Sequence, residues 1–276
     1  MYTELLGDLD EVEPDALFDA LEAIASGPTC FGQHEEWTEW YHYLLPNLVL
    51  GSHAGPVWTS GLEVLATAFF AQHPDSGAAE PHPGFRTDVL LTLGRALMVP
   101  DCWPSGNLDV DGCLGKSYLP GAGRWLWDQP SAKLSCSMFL HLKYLSPPEI
   151  ARWLTSAFAI RSAHWRAQLL AWFVGAHPFL TGVLNQPGEE REDAWPGTQW
   201  WSSHCLKGSY SGDFSGSYED VVFLPPAQRN AGLSAVRQFA SRQYVDVWTT
   251  EFEIDGVLAA EMGVVPDKFL ELYSRS

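Results

Sequence analysis

Apolar side chains recur every three or four residues along much of this chain, which is the spacing of one face of an α-helix. The pattern is clearest in residues 147–159, whose apolar stripe comprises Ile150, Trp153, Leu154, Ala157 and Phe158. Just before this stripe, Ser146 and Glu149 have the spacing of a capping box, in which both side chains bond to backbone amides at the start of a helix. The sequence therefore predicts an amphipathic helix here.

The same periodicity predicts a mainly α fold of about eight helices. Proline or glycine bounds several of the segments, as expected where helices end. The predicted helices cover approximately residues 14–27, 34–50, 57–72, 85–98, 132–145, 147–159, 162–176 and 230–251, with a short one at 266–273. We found no convincing repeat of about 33–47 residues. A single globular helical bundle is therefore favoured, with an irregular α-solenoid as the alternative.

One domain, residues 1–276, is expected, with regions that differ in composition. They are the acidic helices of residues 1–99, a Gly-, Pro- and Asp-rich loop at 100–131, a helical core at 132–183, an insertion at 184–226 and C-terminal helices at 227–276. The insertion is rich in Gly, Ser and aromatic residues, and short strands are predicted at Thr198–Cys205 and Tyr218–Leu224. Insertions of this length in compact domains are often functional.

Positive charge is absent from the first 85 residues, which hold 14 acidic residues; the first cation is Arg86. The whole chain has 16 Lys and Arg against 34 Asp and Glu, a formal net charge of −18. Phosphate binding needs cations, so this third of the chain is not expected to bind nucleic acid. Because a negative field attracts and selects cationic partners, a basic protein partner is predicted.

No secretory signal or membrane span is predicted. The N-terminus is acidic and lacks the apolar core of a signal peptide. Residues 167–188 carry no formal charge over a length that could span a bilayer, but His177 and Pro178 lie in their middle and no basic cluster flanks them. A buried helix is predicted there instead. The five cysteines show no CxxC spacing, which favours free thiols and a cytoplasmic location.

The acidic segment of residues 34–42 is the first candidate site. Glu35, Glu39 and His42 share one helical face, with Glu36 beside them. Glu39 and His42 have the ExxH spacing of di-iron bundle proteins, but those sites need a second ExxH, which the sequence lacks. We therefore interpret Glu35, Glu36, Glu39 and His42 as partner-binding residues on an acidic face rather than as metal ligands.

A partial calcium motif is the second candidate. Asn107, Asp109 and Asp111 precede Gly112 with the spacing that opens an EF-hand loop. The twelfth position should supply a bidentate carboxylate, and Tyr118 occupies it. An ordinary turn rich in Asx residues is favoured, and no metal or other cofactor is expected.

Motifs for catalysis are weak. His204 and Cys205 are sequence neighbours, which point to opposite faces of a strand and so contact each other poorly as a base and nucleophile. Residues 208–212 place tyrosine where a GxSxG nucleophile elbow has serine. No catalytic residue is assigned. The insertion instead contributes Trp195, Trp200 and Trp201 as partner-binding candidates, since Trp is enriched at binding hot spots.

Together these patterns favour a non-enzymatic, cytoplasmic binding protein whose acidic N-terminal helices bind a cationic protein. The most concrete form of this hypothesis is an immunity-type inhibitor of a basic bacterial toxin or effector enzyme. Two alternatives remain open. One is an enzyme of unknown reaction with a pocket capped by residues 184–226, and the other is a structural scaffold without a specific partner.

Overall fold

The computed structural model describes residues 3–13, 16–17, 19–20, 39–43, 61–74, 83–90, 116–119, 124–127, 130–159, 163–187, 198, 206, 222–250, 259 and 262–274. These residues are mostly helical, which confirms the prediction of a mainly α fold. Two short 3₁₀ helices, Thr3–Leu6 and Leu9–Glu11, come first. Residues 39–43 are helical and lie within the helix predicted over residues 34–50.

The longer elements follow in chain order. They are α1 (Gly61–Gln72), α2 (Phe85–Val89), β1 (Lys116–Leu119), β2 (Arg124–Trp127), α3 (Pro130–Tyr144), α4 (Pro147–Phe158), α5 (Ala163–Thr181), α6 (Pro226–Arg237), α7 (Arg242–Thr249) and α8 (Val265–Tyr273). The predicted capping box is present at the start of α4. There the Glu149 carboxylate accepts hydrogen bonds from the backbone N–H of Ser146 at 2.9 Å and from its hydroxyl at 2.5 Å.

The core is built around α5 and α6. The most extensive helix contacts pair α4 with α6, α5 with α8, α1 with α3, and α5 with α6. Every residue from 167 to 176 is buried, so this part of α5 is enclosed on all sides. The Tyr273 hydroxyl on α8 donates a hydrogen bond to the Phe173 carbonyl on α5 at 2.7 Å. This bond links the two helices across 100 residues of sequence.

Helix α5 confirms a buried helix over residues 167–176. It continues to Thr181, past the predicted helix end at residue 176 and short of residue 188, where the uncharged stretch ends. Pro178 lies inside it without breaking it. The helix ends where Gly182 adopts a left-handed conformation with φ of 76°. The N–H groups of Val183 and Leu184 then donate to the Pro178 carbonyl at 2.8 and 3.1 Å, which satisfies the end of the helix. None of the described helices combines the length and apolarity that crossing a membrane requires.

The helix predicted over residues 230–251 is wrong as one continuous element, because α6 and α7 divide there. Gln238 and Ala240 close α6 with tight turns, and the Ser241 hydroxyl caps α7 by accepting from the Tyr244 N–H at 3.2 Å. The break shifts the helical phase. Val247 would share the apolar face of Leu233 and Val236 if one helix continued through residue 251. It is instead 66% exposed, while Val245 and Trp248 are buried.

The structure has two strands where none was predicted. Within the predicted loop of residues 100–131, β1 and β2 pair as an antiparallel hairpin, with Lys116 opposite Trp127 and Leu119 opposite Arg124. The four-residue connection contains Pro120 and two glycines, a composition typical of turns. Because this composition favours a loop, the short β-forming runs on either side do not stand out as strands in the sequence. Of the predicted strand Tyr218–Leu224, the described residues 222–224 are not in a strand.

Candidate functional site

The Tyr43 hydroxyl joins the N-terminal turns to helical residues 39–43. The Tyr43 hydroxyl donates to the Leu5 carbonyl at 2.8 Å and lies 3.4 Å from the Gly7 carbonyl. Leu5 and Leu9 are buried, which anchors the two 3₁₀ turns against the core. On the helical segment, Tyr41 is buried while Glu39 and Tyr43 are exposed. Two parts of the chain that lack cations therefore meet at this point.

Exposed carboxylates lie on both sides of this junction. Asp8 directly follows Gly7, and Glu11 closes the next turn by donating its N–H to the Asp8 carbonyl at 3.1 Å. Glu39 precedes Tyr43 by four residues, which places the two side chains next to each other on one helical face. We call Asp8, Glu11 and Glu39, together with Leu6 and Tyr43, the acidic N-terminal surface. Glu13 and Asp19 are further exposed acids of this part of the chain.

The same two segments also expose apolar groups. The Leu6 side chain is 65% exposed and the Tyr43 side chain 41%. The half-buried Trp40 ring meets the Tyr43 ring edge-on, with centroids 5.9 Å apart. This arrangement of an apolar centre with a charged rim is the anatomy of many protein–protein interfaces.

His42 occupies a different environment from Glu39. It is half-buried, and its ring centroid lies 6.0 Å from that of Phe85 and 6.3 Å from that of His73. His73 in turn packs 4.9 Å from Phe69. These contacts give His42 a packing role where residues 39–43, α1 and α2 come together, so the structure does not group it with the exposed carboxylates.

Several predicted site residues lie outside the described residues. They are Glu35, Glu36, Trp195, Trp200 and Trp201 of the partner-binding set and Asn107, Asp109 and Asp111 of the calcium motif. Glu39 is thus the predicted partner-binding residue that the structure places on an exposed face.

Parts of the insertion at 184–226 are fixed to α3 by buried donors. The Ser135 hydroxyl donates to the Thr198 carbonyl at 2.5 Å and accepts from the Trp172 indole N–H at 3.1 Å. Near the other end of α3, the Lys143 ammonium donates to the Phe223 carbonyl at 2.6 Å and lies 4.6 Å from the centre of the Phe223 ring. At these points the insertion packs on the helical core.

Ser135 and Lys143 are both almost completely buried, and neither is among the residues predicted from the sequence. A signal for Lys143 exists, because a lysine within the apolar run of residues 138–145 has to be either exposed or paired. For Ser135 no comparable signal exists, since serine is common in any environment.

Two further buried polar side chains lie in the helical core. Burial lowers the pKa of His141 to about 4, against a smaller opposite effect of its hydrogen bond to the Ser137 carbonyl. Gln168 lies one turn before Trp172 on α5, and neither its Oε1 nor its Nε2 has a hydrogen-bond partner within the part of the chain that the structure describes. An unpaired buried amide costs about 1–3 kcal/mol.

Metal ligands do not gather in the described residues, where no group of three or more His, Cys, Asp and Glu side chains could hold an ion. Comparison with protein families, with curated proteins and with solved structures finds no match to this chain. The acidic N-terminal surface is therefore the feature of the molecule that supports a functional proposal.

Proposed function

We propose that this chain is a non-enzymatic binding protein that uses its acidic N-terminal surface to bind a cationic protein. The most concrete form of the proposal is an immunity-type inhibitor of a basic bacterial toxin or effector enzyme, acting in the cytoplasm. The enzyme partner would lose activity because its cationic substrate site is covered.

The observation that carries the proposal is the bond between Tyr43 and the Leu5 carbonyl. It joins two segments that both carry exposed acids, where the sequence alone indicates only that both segments are acidic. Residues 1–85 contain no Lys or Arg, so these segments bring no cation of their own. Exposed carboxylates favour an approaching positive surface and disfavour a negative one.

Inhibition by occlusion follows from the same chemistry. Asp8, Glu11 and Glu39 would pair with Lys or Arg side chains that normally hold the partner's anionic substrate. Glu35 and Glu36 precede Glu39 in the same acidic segment and are expected to extend the contact. Because exposed charge pairs are screened by salt, the association is expected to weaken steeply as ionic strength rises.

The test compares two triple variants that remove the same charge. Asp8→Asn, Glu11→Gln and Glu39→Gln together neutralise the acidic N-terminal surface. The control, Asp246→Asn, Asp267→Asn and Glu271→Gln, neutralises three exposed acids on α7 and α8, where they form surface ion pairs with Arg242 and Lys268. Such exposed pairs contribute little to stability, so the control is expected to fold.

Each immobilised protein is exposed to lysate of its source cells at low salt, and retained proteins are eluted in salt steps and identified. We expect the wild type and the control to retain the same basic protein and the first triple variant to lose it. Retention of that protein by all three, or retention of no basic protein by any, contradicts the proposal. The second result is what a structural scaffold would give.

A further inference from the structure

We infer that the acidic N-terminal surface recognises a basic segment of its protein partner that carries an apolar side chain between its Lys or Arg residues, and that Leu6 and Tyr43 receive this apolar side chain. The inference rests on the proposed function and adds what kind of sequence the partner presents. It concerns the apolar centre of the surface, whereas the proposed function concerns its charge.

Their position in the fold sets Leu6 and Tyr43 apart from the other exposed apolar residues that the structure describes. The remaining four are Val183, Val222, Val247 and Val264, which lie in four different parts of the chain. Single exposed apolar side chains are normal and need no explanation. Leu6 and Tyr43 instead belong to two elements that are hydrogen-bonded to each other, since the Tyr43 hydroxyl bonds to the residue before Leu6.

The Tyr43 ring is held in place before any partner arrives. Its hydroxyl is fixed by the Leu5 carbonyl, and the Trp40 ring packs edge-on against it at 5.9 Å. A side chain with fixed rotamers loses little conformational entropy when a partner covers it, which is one reason that tyrosine is common at binding hot spots. Because the hydroxyl already has a partner, covering the ring leaves no polar group unsatisfied.

Charge decides which occupant fits this apolar centre. The two hydrogen-bonded segments that carry Leu6 and Tyr43 also carry the exposed acids Asp8, Glu11 and Glu39, and residues 1–85 contain no Lys or Arg. A purely apolar partner would take water from these carboxylates without pairing them, which is costly. A segment that places Lys or Arg beside an apolar residue pairs the carboxylates and covers Leu6 and Tyr43 at the same time.

The test uses two fluorescein-labelled peptides of equal length and equal lysine number. One carries Leu and Phe between the lysines, and the other carries Gly and Ser at those positions. Binding to the full chain is measured by fluorescence anisotropy. We expect the Leu/Phe peptide to bind about fivefold to tenfold more tightly, which corresponds to covering part of a leucine and of a tyrosine ring.

Substitutions locate the effect. Leu6→Ser is expected to remove most of the difference between the two peptides, while Val183→Ser, at an exposed valine outside the surface, is expected to leave it unchanged. Tyr43→Phe keeps the ring but loses the bond to Leu5, so it is expected to weaken the Leu/Phe peptide by about twofold to fivefold. Both Leu6 and Val183 are exposed, so neither serine variant is expected to unfold the protein.

The outcomes separate this inference from the proposed function. If both peptides bind equally and their binding needs Asp8, Glu11 and Glu39, the inference is overturned and the proposed function stands. If neither peptide binds in a way that depends on those three acids, both are overturned. A Leu/Phe preference that survives Leu6→Ser also overturns the inference, because the apolar contact then lies elsewhere.

Discussion

The imidazole of His141 on α3 stacks on the indole of Trp153 on α4, with ring centroids 4.5 Å apart and ring planes 3° from parallel. His141 Nδ1 lies 2.8 Å from the Ser137 carbonyl oxygen. Since a carbonyl can only accept, Nδ1 carries the hydrogen and the ring has room for a second proton only at Nε2. The stack holds a neutral histidine inside the junction of two helices.

Acid is expected to weaken the fold through His141. Its pKa is about 4 in the folded protein because of burial, against an ordinary value near 6.5, so below pH 6.5 the unfolded chain binds a proton that the folded chain does not. The stability contribution is complete above pH 6.5 and is lost as the pH falls towards about 4. The loss amounts to roughly 3 kcal/mol.

Urea unfolding at pH 7, 6, 5 and 4.5 of the wild type and of His141→Phe checks this prediction. Phenylalanine keeps an aromatic ring against Trp153 and cannot titrate. The free energy of unfolding should fall more with acid in the wild type than in the variant. Parallel curves for the two proteins would show that His141 does not set the acid sensitivity.

Gly182 is expected to tolerate alanine poorly, for two separable reasons. Its φ of 76° is in the left-handed region, which costs a residue with a Cβ about 1–2 kcal/mol. A Cβ would also come too close to the Arg229 Nη1 atom, so the guanidinium has to move. Gly84 has a similar φ of 89°, but a Cβ there would meet no atom within 4 Å, which makes Gly84→Ala a control for the backbone cost alone.

Thermal unfolding of the two alanine variants gives the comparison. We expect Gly182→Ala to lower the melting temperature more than Gly84→Ala, and the excess to shrink when Arg229→Ala is added to Gly182→Ala. If the excess persists without the Arg229 side chain, the contact with the guanidinium is not its cause.

Ser135 is expected to be energetically coupled to Trp172. Ser135→Ala removes the acceptor of the Trp172 indole N–H and the donor to the Thr198 carbonyl, all in a buried setting, so a loss of about 1–3 kcal/mol is expected. Trp172→Phe removes the N–H as well. In a double-mutant cycle measured by denaturant unfolding, the Ser135→Ala cost should therefore be smaller in the Trp172→Phe background. Additive costs would mean that the indole N–H is satisfied in another way.

Replacing Gln168 by methionine is expected to stabilise the fold. The two side chains are similar in length, and the substitution removes a buried amide without a partner among the described residues, which is worth about 1–3 kcal/mol. The free energy of unfolding from urea titration measures the gain. A clear destabilisation would show that the amide makes favourable contacts in solution.

Elements whose signals are local can be predicted from the sequence. Helix α4 combines a capping box at Ser146 with an unbroken apolar stripe, and both depend only on residues within a few positions of one another. The break between α6 and α7 escapes prediction although Ser241 is a good capping residue, because the apolar spacing continues across it when the helical phase is assumed constant. Here the Ser241 cap starts a new helix, although the apolar periodicity predicts one continuous helix.

The candidate site can be predicted only in part, because several of its contacts join residues that are far apart in the sequence. The exposure of Glu39 follows from helix phase, which is local. The role of Tyr43 depends on a carbonyl 38 residues away, and the inward position of His42 depends on Phe85. Contacts over such separations are set by how the helices pack, which a pattern along one chain does not contain.

The bond between Tyr273 and Phe173 has a consequence for how the protein is made. Since α8 packs on α5, the side of α5 that faces α8 stays uncovered until about 100 further residues have left the ribosome. At roughly 5–20 residues per second this takes on the order of 5–20 s. During that time a helix that is buried on all sides in the finished fold lacks one of its covers, so part of its apolar surface stays exposed to solvent.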